Sequence, residues 1–270
     1  MSEAPPQGPL VDCHAHVWGA QMQWSPTAWA RPSYVYAAED FIADMDRCGI
    51  RYGVIAAASL FGTYSDYTLD ALRRHKRLRA TAIVDPAITL PDLRRLRDKG
   101  IVGIRLQWFM LDPLPDLAGA DYRRLCGHLR DLDMHIHLNI EGQRLAGIAR
   151  QLVETGVKLV IDHYGWHDFG PRLEADSYKA MLRLMEGGAV WVKLSSGFRR
   201  PDADLPADYV RDLLARFGPE RLLWGSDAPF VGHEHATSYA REVAALHYAV
   251  PDEQTRQALG RSGYAFYFER

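Results

Sequence analysis

The chain has 270 residues, 47% of them hydrophobic and 24% charged, with a formal net charge of -2 and an isoelectric point of about 6.6. This balance offers no basic excess for nucleic acid or an anionic membrane surface, and no apolar run approaches the ~20 residues that span a bilayer. Length and composition suit one large globular domain with a sizeable core.

The opening "MSEAPPQGPL" has no apolar h-region and reads as a flexible lead-in over residues 1–9. Next comes a strand in "PLVDCHAHV". A regular strand alternates faces, which would group Asp12, His14 and His16 on one side and Val11, Cys13, Ala15 and Val17 on the other. A loop rich in Trp, Pro and Ser leads to the helix "AEDFIADMDRCG", closed by Gly49. "YGVIAAAS" is a second strand and "SDYTLDALRRH" its helix, with Ser65 or Asp66 as N-cap. "LRATAIVDP" and "LPDLRRLRDKG" form the third pair, and "VGIRLQ" and "DYRRLCGHLRDLD" the fourth. The fifth strand is "MHIHLNIEG", followed by "LAGIARQLVETG"; the sixth is "KLVIDHYG", followed by "SYKAMLRLMEGG". "VWVKLSSG" with "PADYVRDLLARFG", then "RLLWGSD" with terminal helical segments, complete about eight βα units.

Alternating strands and helices imply a parallel sheet. Eight units without a linker favour a closed (β/α)8 barrel, a single domain over residues 1–270, rather than a doubly wound sheet. No GxGxxG follows a strand and no GxxxxGK[ST] occurs, so nucleotide binding has little support. Cys13, Cys48 and Cys126 are widely spaced without a CxxC, which argues against a disulfide framework or zinc-thiolate site and makes a reducing cytoplasm the default.

In such a barrel the active site lies at the C-terminal strand ends. His14 and His16 end the first strand, Ser59 the second, Asp85 the third, His163 the sixth and Asp227 the eighth. Arg105 and Gln107 share a face of the fourth strand; His135, His137 and Asn139 share one of the fifth; Lys193 and Ser195 share one of the seventh. Several have plain structural readings: Asp85 precedes Pro86, Lys193 suits a barrel-filling stem paired to a carboxylate, and His135 and His137 belong to inner layers. His233 and His235 follow the eighth strand and are weaker candidates for the pocket. Histidines ending strands one and six, with an aspartate ending strand eight, form one cluster if the barrel closes.

These motifs together ("VDCHAH", "VDPAI", "GIVGIRLQ", "LVIDHYG", "VWVKLSSG", "ERLLWGSDAP") resemble the amidohydrolase-related family of TIM-barrel hydrolases, over nearly the whole chain. The resemblance is greatest to the branch containing 2-pyrone-4,6-dicarboxylate lactonase and the sugar-acid lactonases. It implies metal-ligand or catalytic roles for His14, His16, His163 and Asp227, with either no cofactor or one divalent ion, zinc or manganese. The fifth-strand ligand position reads Asn139, a poor zinc ligand, with His137 two residues earlier. The pyrone lactonase type implies a metal-free site. Arg105 matches the arginine of "GIR", expected to hold a substrate carboxylate bidentately. Where that lactonase has further arginines, this chain has "WFML" and Trp166, and Arg199 or Arg200 could substitute.

The expected chemistry is hydrolysis of a cyclic ester by water activated at Asp227, its basicity raised by Trp224 and Phe230. His14, His16 and His163 would donate to the oxyanion or hold a metal. Trp18, Trp24, Trp29, Trp108 and Trp166 fall in loops on the active face, some of them packing loop on loop. Trp18, Trp108 and Trp166 with Arg105, Arg199, Gln107, Asn139 and Ser59 would bind a flat apolar ring bearing one carboxylate. The alternative is a metal-dependent decarboxylase or hydratase of an aromatic-pathway acid; a homodimer is the open question of assembly.

Overall fold

The computed structural model describes residues 8–166, 172–200 and 204–269, so residues 1–7 of the expected lead-in lie outside the described residues. The strands are Val11–Ala15 (β1), Tyr52–Ile55 (β2), Leu78–Ala82 (β3), Ile101–Gln107 (β4), His135–Asn139 (β5), Leu159–Ile161 (β6), Val190–Leu194 (β7) and Leu222–Trp224 (β8). They pair in parallel in chain order, β1 to β8. Helices Ala38–Arg47 (α1), Asp66–Arg74 (α2), Leu90–Asp98 (α3), Ala120–Asp131 (α4), Gly142–Glu154 (α5), Asp176–Glu186 (α6) and Asp204–Phe217 (α7) each link one strand to the next; Tyr239–Ala249 (α8) and Glu253–Phe268 (α9) follow β8. The (β/α)8 barrel expected from the alternating pattern is the observed fold. Among the described residues, no helix is long and apolar enough to cross a membrane. Cys13, Cys48 and Cys126 are all buried and unbridged.

The helix-facing core holds the aliphatic half of each strand, including Ile104, Leu106, Ile136, Leu138, Leu159, Ile161, Val192 and Leu194. Strands covered on both sides read as nearly continuous apolar runs, which is why they were visible. The other half points into the barrel. At the N-terminal end Val11, Val54, Val102, Val160 and Leu223 cluster with Phe266 and Tyr267 of α9. Above them the lumen turns polar: Lys193 and His135 approach Tyr267, and Arg105, His137 and Asp162 are fully or almost fully buried.

The barrel closes between β8 and β1 just past the strands. The Asp227 N–H donates to the His14 carbonyl at 2.7 Å, and the His16 N–H donates to the Ala228 carbonyl at 2.7 Å. Asp12 secures the same seam, accepting from the Ser226 N–H at 3.0 Å and the Tyr239 hydroxyl at 2.8 Å. Strict alternation grouped Asp12 with His14 and His16; the structure separates them. The β1–β2 register shifts between Asp12 and Ala15, and such an irregularity re-aims side chains. Asp12 meets Tyr239 of α8, whereas His14 meets the other imidazoles. Burial pushes the Asp12 carboxyl up to about 6, against hydrogen bonds from Ser226, His14 and Tyr239.

Gly225 lies at this seam because a Cβ there would stand 2.5 Å from His14 Cβ and 2.7 Å from His14 N. Gly225→Ala should cost about 1–3 kcal/mol of unfolding free energy, as overpacking typically does. Urea titration against wild type measures it, and an unchanged midpoint would mean the seam can relax.

Candidate active site

His14 and His16 stand at the end of β1, His163 follows β6 and Asp227 follows β8, so closure of the seam brings them together in one wall; His16, His163 and Asp227 face the cavity, whereas His14 is fully buried behind them. His14 Nε2 lies 3.3 Å from His16 Nε2 and 3.6 Å from Asp227 Oδ1; His16 Nε2 lies 3.3 Å from the same oxygen. The His163 ring is 4.8 Å from that of His14, and its Nδ1 is 2.9 Å from Ser195 Oγ. The other oxygen of Asp227 accepts from the Ser196 hydroxyl and lies 3.3 Å from Arg199 Nε. His163, Trp166, Ser196 and Asp227 all have φ between +48° and +61°. Non-glycine residues pay for that conformation, and it clusters at functional sites.

A second layer lies deeper. The Asp162 carboxylate accepts from Arg105 Nη2 at 2.9 Å and from His137 Nε2, and lies 3.3 Å from His14 Nδ1. Lys193 Nζ donates to the Cys13 carbonyl at 2.5 Å and stands 3.3 Å from His14 Nδ1. The sequence reading passed over Asp162 in favour of its neighbour His163. The alternation of "LVIDH", with Val160 already inward, was the signal that could have found it. Ser196 carried no comparable signal, since its contact depends on a left-handed turn after β7.

Burial governs the charge states. It drives the His163 imidazole down to about 4 and that of His137 to about 3, against the pull of Asp162. His14 is held well below its ordinary value by burial and by Lys193. These rings are neutral at pH 7. Burial also lowers Lys193 to about 8, which leaves it mostly charged. For Asp162, burial pushes upward, but His137, His14 and Arg105 outweigh it and hold the carboxyl well below the usual range. Asp227 behaves alike: burial raises it, and His163, Arg199 and His14 together outweigh that. The expectation that Trp224 and Phe230 raise its basicity is therefore reversed, because the polar groups stand closer to the carboxylate.

A cavity of about 310 Å³ opens above this wall. Its lining includes His16, His163, Asp227, Arg105, Gln107, Asn139, Ser59, Arg199, Trp18 and Trp166, all sequence candidates. A larger cleft of about 520 Å³ lies at the opposite end of the barrel beside Tyr267 and Phe268, away from these groups. Trp108 is a correction. It is buried against Tyr122 of α4, outside the cavity lining, while Phe109 and Met110 face the cavity instead. Arg105 is a second correction: its Nε and Nη2 both engage Asp162 Oδ2, at 3.2 and 2.9 Å, and its Nη1 engages the Ala57 carbonyl, so the fork expected for a substrate carboxylate is committed inside the protein. His233 and His235 do not line the cavity. Asn139 accepts from the Trp166 indole at 2.5 Å and donates to Gln107 at 3.0 Å.

The donor set tests whether a metal fits. His16 Nδ1 meets the Ala56 carbonyl at 2.8 Å; a carbonyl only accepts, so this nitrogen carries the proton and Nε2 presents a lone pair. His14, His16 and Asp227 then offer atoms spaced 3.3, 3.6 and 3.3 Å apart. Tetrahedral zinc with bonds of about 2.0–2.1 Å keeps its ligands about 3.3 Å apart. The triad fits. His163, expected as a fourth ligand, stands outside it with Nδ1 on Ser195, and Asn139 has both ends of its amide engaged. His14, His137 and Asp162 form a second group, but Arg105 and Lys193 already supply cations there.

A (β/α)8 barrel with an HxH leaving β1 and an aspartate beyond β8 defines the amidohydrolase class of barrels. The chain belongs to the amidohydrolase family, whose profile matches residues 11–267. It is 30% identical over 243 residues to a 4-sulfomuconolactone hydrolase of Rhizobium radiobacter, covering 86% of this chain and 79% of the relative. It is 24% identical over 237 residues to a 2-pyrone-4,6-dicarboxylate hydrolase of Comamonas testosteroni, covering 81% and 76%. Among solved structures, a probable 2-pyrone-4,6-dicarboxylic acid hydrolase of Acinetobacter baumannii with citric acid bound superposes with a TM-score of 0.91 at 27% identity, covering 97% of this chain and 99% of that one.

Two outcomes follow from the site's physics. His163 has a folded value of about 4 against an ordinary 6.5, so the unfolded chain binds its proton first. The stability His163 contributes is present above pH 6.5 and drains away as pH falls toward 4. His163→Gln should flatten the stability–pH curve by up to one proton across that window, read from urea midpoints at each pH. Trp108→Ala should cost about 3–5 kcal/mol of stability with little change in substrate KM, since Trp108 packs behind the cavity.

Proposed function

We propose that this protein hydrolyses the ester bond of a small lactone bearing an anionic group. The observation that carries the reading is the convergence of His16, His163 and Asp227 on one cavity wall, with His14 buried directly behind them. It is supported by relatives whose names describe hydrolysis of a sulfonated lactone and of a pyrone dicarboxylate. The described cavity lining carries two guanidiniums, Arg105 and Arg199, against one carboxylate, Asp227, an excess of one positive charge. That excess favours an anionic ligand. Both cavity arginines pair with a carboxylate, but Arg105 is almost fully buried on Asp162, whereas Arg199, which meets Asp227 through Nε and the Val231 carbonyl through Nη1, is the more exposed and is the cation that receives the anion.

Asp227 Oδ1 accepts a proton from water, and the water oxygen bonds to the lactone carbonyl carbon. In the tautomer in which the Ser195 hydroxyl donates to His163 Nδ1, His163 Nε2 keeps its proton and offers a hydrogen bond to the carbonyl oxygen as negative charge develops there. The bond from the acyl carbon to the ring oxygen then breaks, and the proton on Asp227 passes to that oxygen. The product is an open-chain hydroxy acid whose carboxyl proton passes to solvent, leaving a carboxylate and a hydroxyl. Asp227 is a strong acid in the resting site and hence a weak base. A divalent ion held by His14, His16 and Asp227 would supply the missing activation by lowering the pKa of bound water.

A panel of carboxylated and sulfonated butenolides and pyrones, set against neutral lactones, tests the reading with added zinc or manganese and with chelator. Anionic lactones are expected to be opened fastest; failure to open any, with or without metal, overturns it. His163→Ala should lower turnover by roughly 10²–10³-fold, the usual loss for one oxyanion donor, with the melting curve retained. Near-normal turnover would remove His163 from the chemistry.

A further inference from the structure

The cavity mouth holds two large apolar side chains in water. Trp29 is 63% exposed and Met110 is 79% exposed, and both line the cavity. Exposed apolar surface at the rim of a pocket marks a place where a ligand is covered. Met110 is also held there against its backbone preference. Its φ is +59°, the left-handed region where glycine is the unstrained choice. A built clamp maintains it: the Glu141 carboxylate accepts from the Met110 N–H, and Arg144 donates to Glu141, to the Leu111 carbonyl at 2.8 Å and to the Trp108 carbonyl at 3.2 Å. Glu141 and Arg144, at the start of α5, thus tie down the chain on both sides of residue 110. Beside it Phe109 packs on Trp166, with ring centres 4.9 Å apart. The loop "WFML" spends strain to hold a soft, unbranched thioether at the opening, and thioethers make favourable contacts with aromatic rings.

We infer that Met110 and Trp29 form a subsite for an apolar, ring-bearing substituent on the lactone, so that the substrate carries its anion toward Arg199 and an aryl group toward the mouth. This rests on the lactone-hydrolase reading and narrows it. Among the described residues, the mouth residues Trp29, Phe109 and Met110 carry no charge, so a second anionic group is not provided for beside them; the preferred substrate is a mono-anionic lactone extended by an apolar ring.

The test uses matched carboxylated lactones with and without a phenyl substituent distal to the carbonyl. Wild-type kcat/KM should favour the phenyl form by about tenfold, the scale of one well-buried apolar contact. Met110→Gly removes the side chain while suiting the left-handed backbone, so the fold is preserved, as a melting curve verifies; the ratio should fall to near one, through KM. A wild-type ratio near one, or an unchanged ratio in Met110→Gly, overturns the inference. Binding of biphenyl-4-carboxylate against benzoate, followed by tryptophan fluorescence, reads the same preference without turnover. A tenfold preference that Met110→Gly abolishes supports the subsite even if no lactone is opened, in which case only the hydrolase reading falls. Equal binding by wild type sinks the subsite even if lactones are opened.

Discussion

Two backbone hydrogen bonds between the end of β8 and the end of β1 carry the architecture and the site together. Asp227 N–H to His14 O and His16 N–H to Ala228 O, each 2.7 Å, shut the barrel. Of the residues so joined, His16 and Asp227 line the cavity and His14 lies directly behind them. Residues more than two hundred positions apart are thereby held in fixed geometry by backbone bonds, which have less freedom than side-chain contacts. Asp12 and Tyr239 reinforce the seam from the helix side, and Gly225 permits the close approach of β1. Rigid support of this kind is what a site needs if its donors are to stay aligned without reorganising during reaction.

Beneath that seam the lumen is organised around Asp162. A buried carboxylate without partners would be costly. Here Arg105, His137 and His14 surround it, and Lys193 stands beside His14. The arrangement explains why a barrel interior that could have been aliphatic is polar above the Val11, Val54, Val102, Val160 and Leu223 cluster. Asp162 fixes Arg105 and orients His14 from below, while Asp227 meets His14 and His16 from above. The site is thus two carboxylates sharing one imidazole, with neutral histidines as donors and ligands.

The fold was legible because parallel strands buried on both faces announce themselves as short apolar runs, and helices such as Leu90–Asp98 end at glycines that suit a left-handed turn, as Gly100 does. The histidine–aspartate constellation was legible for a related reason: in a closed barrel, strand-end residues share one rim. Trp108 was misplaced because loop position does not tell which way a side chain turns; its ring swung onto Tyr122 and left the rim to Phe109 and Met110. Arg105 was misread because nothing in "GIR" reveals that an aspartate on β6 would take up its guanidinium.

The sequence by itself determined the eight βα units, the family, and the residue types gathered at the active rim, since these depend on local periodicity and on motifs only a few residues long. Tertiary structure alone decided that Asp12 leaves the histidines, that Asp162 becomes the buried anchor of Arg105, and that Asp227 is made a strong acid rather than a basic one. Those outcomes turn on a register shift in β1 and on distances of a few ångströms between groups far apart in the chain. Electrostatic energies in a buried site vary steeply over just such distances.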